Sequence, residues 1–164
     1  MKTSYPIRVL TRLILTTTTF WTLQTTTAQA QEMTHPDRTQ TLTSRYDFPT
    51  TVARLNDALS SNGLILFADI DQSAAAIRAG TTLRPTRLFL FGNPRGGTPA
   101  MQGNPHAAVE LPLRAVVWED EHGTAHIDYQ DTSGVLASDY GLPQKLVAPL
   151  AVVRVLLEGV AGMQ

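Results

Sequence analysis

The chain predicts an α+β domain: an antiparallel sheet of four to five strands with helices on one face. Three observations carry this. Thr86-Arg87-Leu88-Phe89-Leu90-Phe91 is an apolar strand that stops abruptly at a Gly/Asn/Pro corner. Leu111–Trp118 and Thr124–Tyr129 are two strand-like runs joined by the short turn Glu119-Asp120-Glu121-His122-Gly123, a hairpin pattern. Helical spacing is gathered before and after these strands rather than alternating regularly with them.

In order, Ser44–Phe48 alternates polar and aromatic residues and reads as a first strand. Pro49 then suits a helix's first turn, Val52, Leu55, Ala58 and Leu59 recur at helical spacing, and Gly63 follows as a stop, predicting a helix from Pro49 to Asn62. Leu64–Ile70 is a near-continuous apolar run, expected to be a buried strand. Asp71-Gln72-Ser73 caps a short helical turn, Ala74–Ala79, closed by Gly80. After Arg84-Pro85 and the Thr86–Phe91 strand, Thr98-Pro99 reads as cap and first turn of a short helix that Asn104-Pro105 ends. In the tail, Leu146, Leu150, Val153 and Leu157 form one stripe, widened by Val147, Val152, Val155 and Leu156. That pattern predicts a long closing helix, buried against the sheet or a partner, with Pro149 in its first turn or kinking it. No internal repeat is present.

The first thirty residues read as an export signal. Lys2, Arg8 and Arg12 precede the apolar stretch around Leu13-Ile14-Leu15 and Phe20-Trp21, and Ala28-Gln29-Ala30 fits a cleavage site. Seven threonines, Thr16–Thr19 and Thr25–Thr27, dilute this stretch below what a membrane span requires, so stable membrane insertion is not expected. Cleavage after Ala30 would release a periplasmic or secreted protein. Its parts are a flexible lead-in, 31–43, and one domain, 44–162. Without the three early cations, 10 basic residues face 14 acidic ones, which argues against nucleic acid as a partner. There is no cysteine, so neither disulfides nor thiol chemistry enter.

The corner Gly92-Asn93-Pro94-Arg95-Gly96-Gly97-Thr98-Pro99-Ala100-Met101-Gln102 is the surface where function is expected. Its Gly-x-x-x-x-Gly spacing fails as a phosphate loop because Thr98 stands where the lysine belongs. Free amides at the start of a Pro99 helix, with Arg95 and Arg87, could hold a carboxylate or phosphate group. The candidate ligand-binding residues are Asn93, Arg95, Thr98, Met101 and Gln102, with Glu110 nearby. The alternative is an enzyme using Glu110 and His106 as acid and base. Met33, His35, Met101 and His106 suit copper in chemistry alone, but Met33 and His35 fall in the lead-in; no metal and no cofactor are expected. His122 and His126 flank the hairpin tip and should point outward. No Gly-x-Ser-x-Gly elbow supplies an acyl-enzyme nucleophile.

Leu83–Pro94, Gly97-Thr98-Pro99-Ala100-Met101-Gln102, Leu111-Pro112-Leu113 and Val117-Trp118-Glu119-Asp120 together resemble the bacterial and archaeal domain-of-unknown-function family numbered 302, from about Tyr46 to Leu142. Arg95 and Gly96 depart mildly from that pattern, where lysine and alanine are the usual residues. The resemblance implies a small α+β domain of β-α-β-β-β-β-α order, similar to the TATA-binding-protein-like fold and apt to dimerise. It brings no catalytic residue or cofactor with it. The sequence therefore points to a non-enzymatic exported domain, a homodimer, that binds a small ligand or a protein partner.

Overall fold

A computed structural model describes residues 38–163. The expected export signal, as well as Met33 and His35, lies outside the described residues. Five strands form one antiparallel sheet in the order β1-β5-β4-β3-β2. They are β1 (Thr39–Thr43), β2 (Ile65–Asp71), β3 (Thr86–Gly92), β4 (Leu113–Glu119) and β5 (Ala125–Gln130). The helices are α1 (Phe48–Ser61), α2 (Gln72–Arg78), α3 (Pro94–Gly103), α4 (Thr132–Ser138), α5 (Gln144–Val147) and α6 (Val152–Val160). Two 3₁₀ turns, Pro105–Glu110 and Ala148–Leu150, join α3 to β4 and α5 to α6. With α1 and α6 as the flanking helices and the intervening helices α2–α5 treated as insertions, the order is the expected β-α-β-β-β-β-α.

Alternation in the sheet sorts side chains by face. Phe89 and Phe91 of β3, Ala115 and Val117 of β4, and Ile127 of β5 are buried. Val52, Leu55 and Leu59 of α1 and Val153, Leu157 and Val160 of α6 join them in one core. Leu55 and Leu157 are wholly buried, each contributing roughly 1.5–3 kcal/mol. Asp47 caps α1, its Oδ1 accepting from the Thr50 amide at 3.0 Å, and Asp71 caps α2 through the Ala74 amide at 2.7 Å. Pro49 sits in the first turn of α1 and Gly63, at φ +64°, follows its end, as the sequence predicts.

Four expectations need correction. The first strand is Thr39–Thr43, not Ser44–Phe48, so the last five residues of the supposed flexible lead-in are paired with β5, Leu42 opposite Ile127. Ser44–Asp47 instead turn the chain into α1: the Ser44 amide makes a last bond to the Ala125 carbonyl at 2.9 Å, and its buried Oγ lies 2.7 Å from Thr51 Oγ1.

β2 is apolar but not buried. It is the sheet's edge strand, and Ile65 and Phe67 keep 50% and 53% of their surface exposed. The β2–β3 register shifts between Leu66 and Ala68, leaving Phe67 as the extra residue of a bulge.

The closing stripe is not one long helix. Pro149, which lacks an N–H, lies in the 3₁₀ turn that separates α5 from α6, and Val152 and Val155 on α6 are exposed. Nor does a helix start at Thr98-Pro99. Asn93 is the cap, Pro94 fills the first turn, and Pro99 lies inside α3. Helix α4, capped by Asp131, has no counterpart in the sequence-based reading.

Candidate functional site

Strand β3 delivers the chain to Asn93, and Asn93 turns it into α3. The Asn93 side-chain Oδ1 accepts from the Arg95 amide at 2.9 Å, and its backbone carbonyl accepts from Gly96 and Gly97 at 2.9 and 3.0 Å. Because α3 starts at Pro94, the amides expected to be free at a Pro99 start lie inside the helix, and those of Arg95, Gly96 and Gly97 are bonded to Asn93. Arg87, the other expected anion ligand, forms a bidentate pair with Asp69 across β2–β3, at 2.9 and 2.8 Å. Of the groups expected to hold an anion, the Arg95 side chain is left exposed.

The corner has a different asset. Pro94, Gly97, Thr98 and Met101 follow each other at i, i+3, i+4 and i+7, and so share one face of α3. That face lines a cavity of about 380 Å³. Phe67, Gly92 and Asn93 close it on the side of the sheet. Leu111, Pro112 and Leu113, where the chain enters β4, form the opposite wall, and Leu150 joins from the 3₁₀ turn before α6. The β2 bulge is what places Phe67 there: a Cβ added at Gly92 would sit 3.7 Å from the Phe67 ring edge. Gly97 faces the Leu111 side chain, with 3.5 Å, an ordinary contact distance, between a built Cβ and Leu111 Cδ1.

Of the six candidate residues, Asn93, Thr98 and Met101 line this cavity. Arg95 and Gln102, seven apart, lie together on another face of α3 and are exposed. Glu110 is turned elsewhere. Its Oε2 takes Arg114 Nη2 at 3.0 Å and its Oε1 accepts from Tyr140 Oη at 2.9 Å. That hydrogen bond, with the carboxylate's charge behind it, raises the Tyr140 phenol pKa above its ordinary value. His106 is exposed, its amide bonded to Asn104 Oδ1, and no hydrogen bond or ion pair joins it to Glu110 among the described residues. An acid–base pair is not assembled.

At the hairpin tip only His122 is exposed as expected. His126 stacks on Trp118 with ring centroids 4.5 Å apart, and its Nε2 lies 3.0 Å from Asp120 Oδ2. The imidazole, aided by the Thr124 and His122 amides, lowers the Asp120 pKa to about 2. This cluster locks the β4–β5 turn.

Sequence reasoning missed Phe67, Leu111, Pro112, Leu113 and Leu150 as cavity residues. The helical spacing of Pro94 to Met101 is a signal that finds the α3 face once the cap is placed at Asn93. Nothing local in the apolar run 64–70 marks the bulge that turns Phe67 over Gly92.

The fold and the cavity define a small α+β domain with a hydrophobic hollow between its sheet edge and one helix. The chain belongs to the family described as "Domain of unknown function DUF302", which matches residues 40–158. A crystal structure of an uncharacterized conserved DUF302 protein from Bacillus stearothermophilus superposes with a TM-score of 0.64 at 17% identity, covering 76% of this chain and 96% of that one. That likeness is one of fold. Among curated proteins, the chain is 37% identical over 91 residues to "Fluoride-specific ion channel FluC 1" of Brucella suis, which is 56% of this chain and 36% of that protein. It matches "Fluoride-specific ion channel FluC 1" of Brucella abortus at 37% over 91 residues, 34% of that protein. The match thus spans about a third of the length of these relatives.

Proposed function

We propose that this chain is an exported, non-enzymatic binding domain that takes a small ligand in the hollow beside Gly92–Gln102. The observation that carries the reading is the alignment of Pro94, Gly97, Thr98 and Met101 along a cavity of about 380 Å³, within the ~300–1,000 Å³ of small-molecule sites. A concave hollow of that size favours a small ligand over the flatter surface a protein partner uses. The engagement of Glu110 by Arg114 and Tyr140 gives the acid–base alternative no support from geometry.

The N-terminal pattern of Lys2 to Ala30 supports export and release of a periplasmic or secreted form. For the segment shared with the fluoride channels of Brucella we propose the same ligand-binding role rather than conduction. Among the described residues no helix is long and apolar enough to cross a membrane. A homodimer remains part of the proposal, with its seam on the outer face of α6, where Val152 and Val155 are 59% and 57% exposed.

Native mass spectrometry of processed protein from its own host tests this reading. The expected spectrum shows a polypeptide starting at Gln31, a dimer, and a small non-covalent adduct that the Thr98→Phe variant loses. A bare polypeptide under gentle conditions, or an adduct that Thr98→Phe retains, contradicts the ligand site.

A further inference from the structure

We infer that the ligand of the α3 hollow is a neutral, mainly apolar small molecule carrying one hydrogen-bonding group, and that Phe67 is its specificity-determining contact. The inference rests on the ligand-binding reading above and narrows it to a chemical class.

The argument begins with charge. Among the described residues, no ionisable side chain lines the hollow. Arg95, the cation nearest in sequence, is exposed on a different face of α3. The start of α3 offers no substitute: Pro94 has no N–H, and the amides of Arg95, Gly96 and Gly97 are all taken by Asn93. A carboxylate or phosphate entering here would lose water and find no counter-charge and no free backbone amide at the start of α3, which is costly. The site selects against anions by construction.

Polar capacity is small but not zero. The Thr98 hydroxyl has no hydrogen-bond partner among the described residues, and the Asn93 side-chain nitrogen is left over after Oδ1 has capped α3. Both line the hollow. They can serve one hydroxyl, carbonyl or ring N–H of a ligand.

The rest of the wall asks for hydrocarbon or an aromatic ring. Met101 offers a polarizable thioether, which makes favourable contacts with ring edges, and Phe67 offers a face or edge for stacking. Phe67 is half-exposed where core phenylalanines of this fold, Phe89 and Phe91, are wholly buried. A ring left open to water at a bulge has more surface to gain from a ligand than from the protein.

Isothermal titration of the mature chain, 31–164, with 1-octanol, indole, sodium octanoate and inorganic phosphate tests the inference. Octanol or indole should bind at least roughly tenfold tighter than octanoate, with no heat from phosphate. Phe67→Ala should weaken the neutral probes by roughly tenfold while the melting temperature holds within a few degrees, because the ring is half-exposed. Thr98→Val, nearly isosteric, should weaken both probes and leave folding intact. Octanoate or phosphate binding best, still lost in Phe67→Ala, overturns the ligand class while leaving the hollow as a site. No binding of any probe, or neutral binding untouched by Phe67→Ala and Thr98→Phe, overturns the ligand class and the site together.

Discussion

Tyr140 donates its phenolic hydrogen to Glu110 Oε1 at 2.9 Å, and that bond spans thirty residues of sequence. It ties the 3₁₀ turn Pro105–Glu110 to the end of α4, and Asn104 Nδ2 reinforces it by donating to the Tyr140 carbonyl at 3.1 Å. The pair therefore holds the segment that carries Leu111 and Pro112 to the wall of the hollow. Tyr140→Phe should lower the melting temperature by a few degrees and leave binding of a neutral probe within twofold. The phenol's raised pKa sets the pH window. The bond's contribution is complete below the unfolded phenol value of about 10 and fades as pH climbs through the higher folded value. The melting-temperature gap between wild type and Tyr140→Phe should close in strong alkali.

The opposite arm belongs to Asp120. Its pKa is about 2 in the fold against 3.8 unperturbed, lowered first by His126 and then by the Thr124 amide. The stabilisation is complete above the unfolded value and is lost as pH falls toward 2. The melting temperature of Asp120→Asn should trail wild type by a constant amount from pH 5 to 6, and most of the gap should be gone by pH 2. A gap that persists at pH 2 would mean the carboxylate's charge is not what stabilises the turn.

Asn93 and Arg95 separate cap from surface. Asn93→Ala removes the acceptor for the Arg95 amide and should cost about 1 kcal/mol in denaturant unfolding. Arg95→Ala should stay within about 0.5 kcal/mol, since the side chain is exposed on another face. Equal losses would show that Arg95 has a structural contact of its own.

The α6 helix tests the dimer. Leu150 and Leu157 are 7% and 0% exposed, so charged replacements there should unfold the chain rather than yield monomers. Val152→Glu with Val155→Glu should instead fold, with far-ultraviolet dichroism unchanged, and shift light-scattering mass from dimer to monomer. A wild type that is monomeric at all concentrations would remove the dimer from the proposal.

Much of the fold is legible in the chain because periodicity and caps are local. Val52, Leu55 and Leu59 mark α1, Asp71 caps α2, and Asn104-Pro105 ends α3, all within reach of a few residues. β1 escaped because Thr39-Gln40-Thr41-Leu42-Thr43 is polar, and its strand state comes from pairing with β5, some eighty residues away. β2 misled for the opposite reason. An apolar run signals burial only if both faces are covered, and whether a strand lies at the edge is a property of topology. The candidate site was legible in place and not in detail. The corner after β3 was evident, but the choice of Asn93 over Thr98 as cap decides which residues share a face. Arg95 and Gln102 lie on another face of α3, and Phe67 is absent from the sequence-based candidates because its place depends on a bulge set by the β2–β3 register.

The most direct test watches the Met101 methyl by ¹H–¹³C spectroscopy during titration of the protein with 1-octanol, with the exposed Met163 methyl as internal reference. A ligand entering between Phe67 and α3 must move the Met101 resonance saturably, leave Met163 in place, and lose this effect in Phe67→Ala. A Met101 signal that stays fixed while octanol shifts resonances elsewhere would contradict the account.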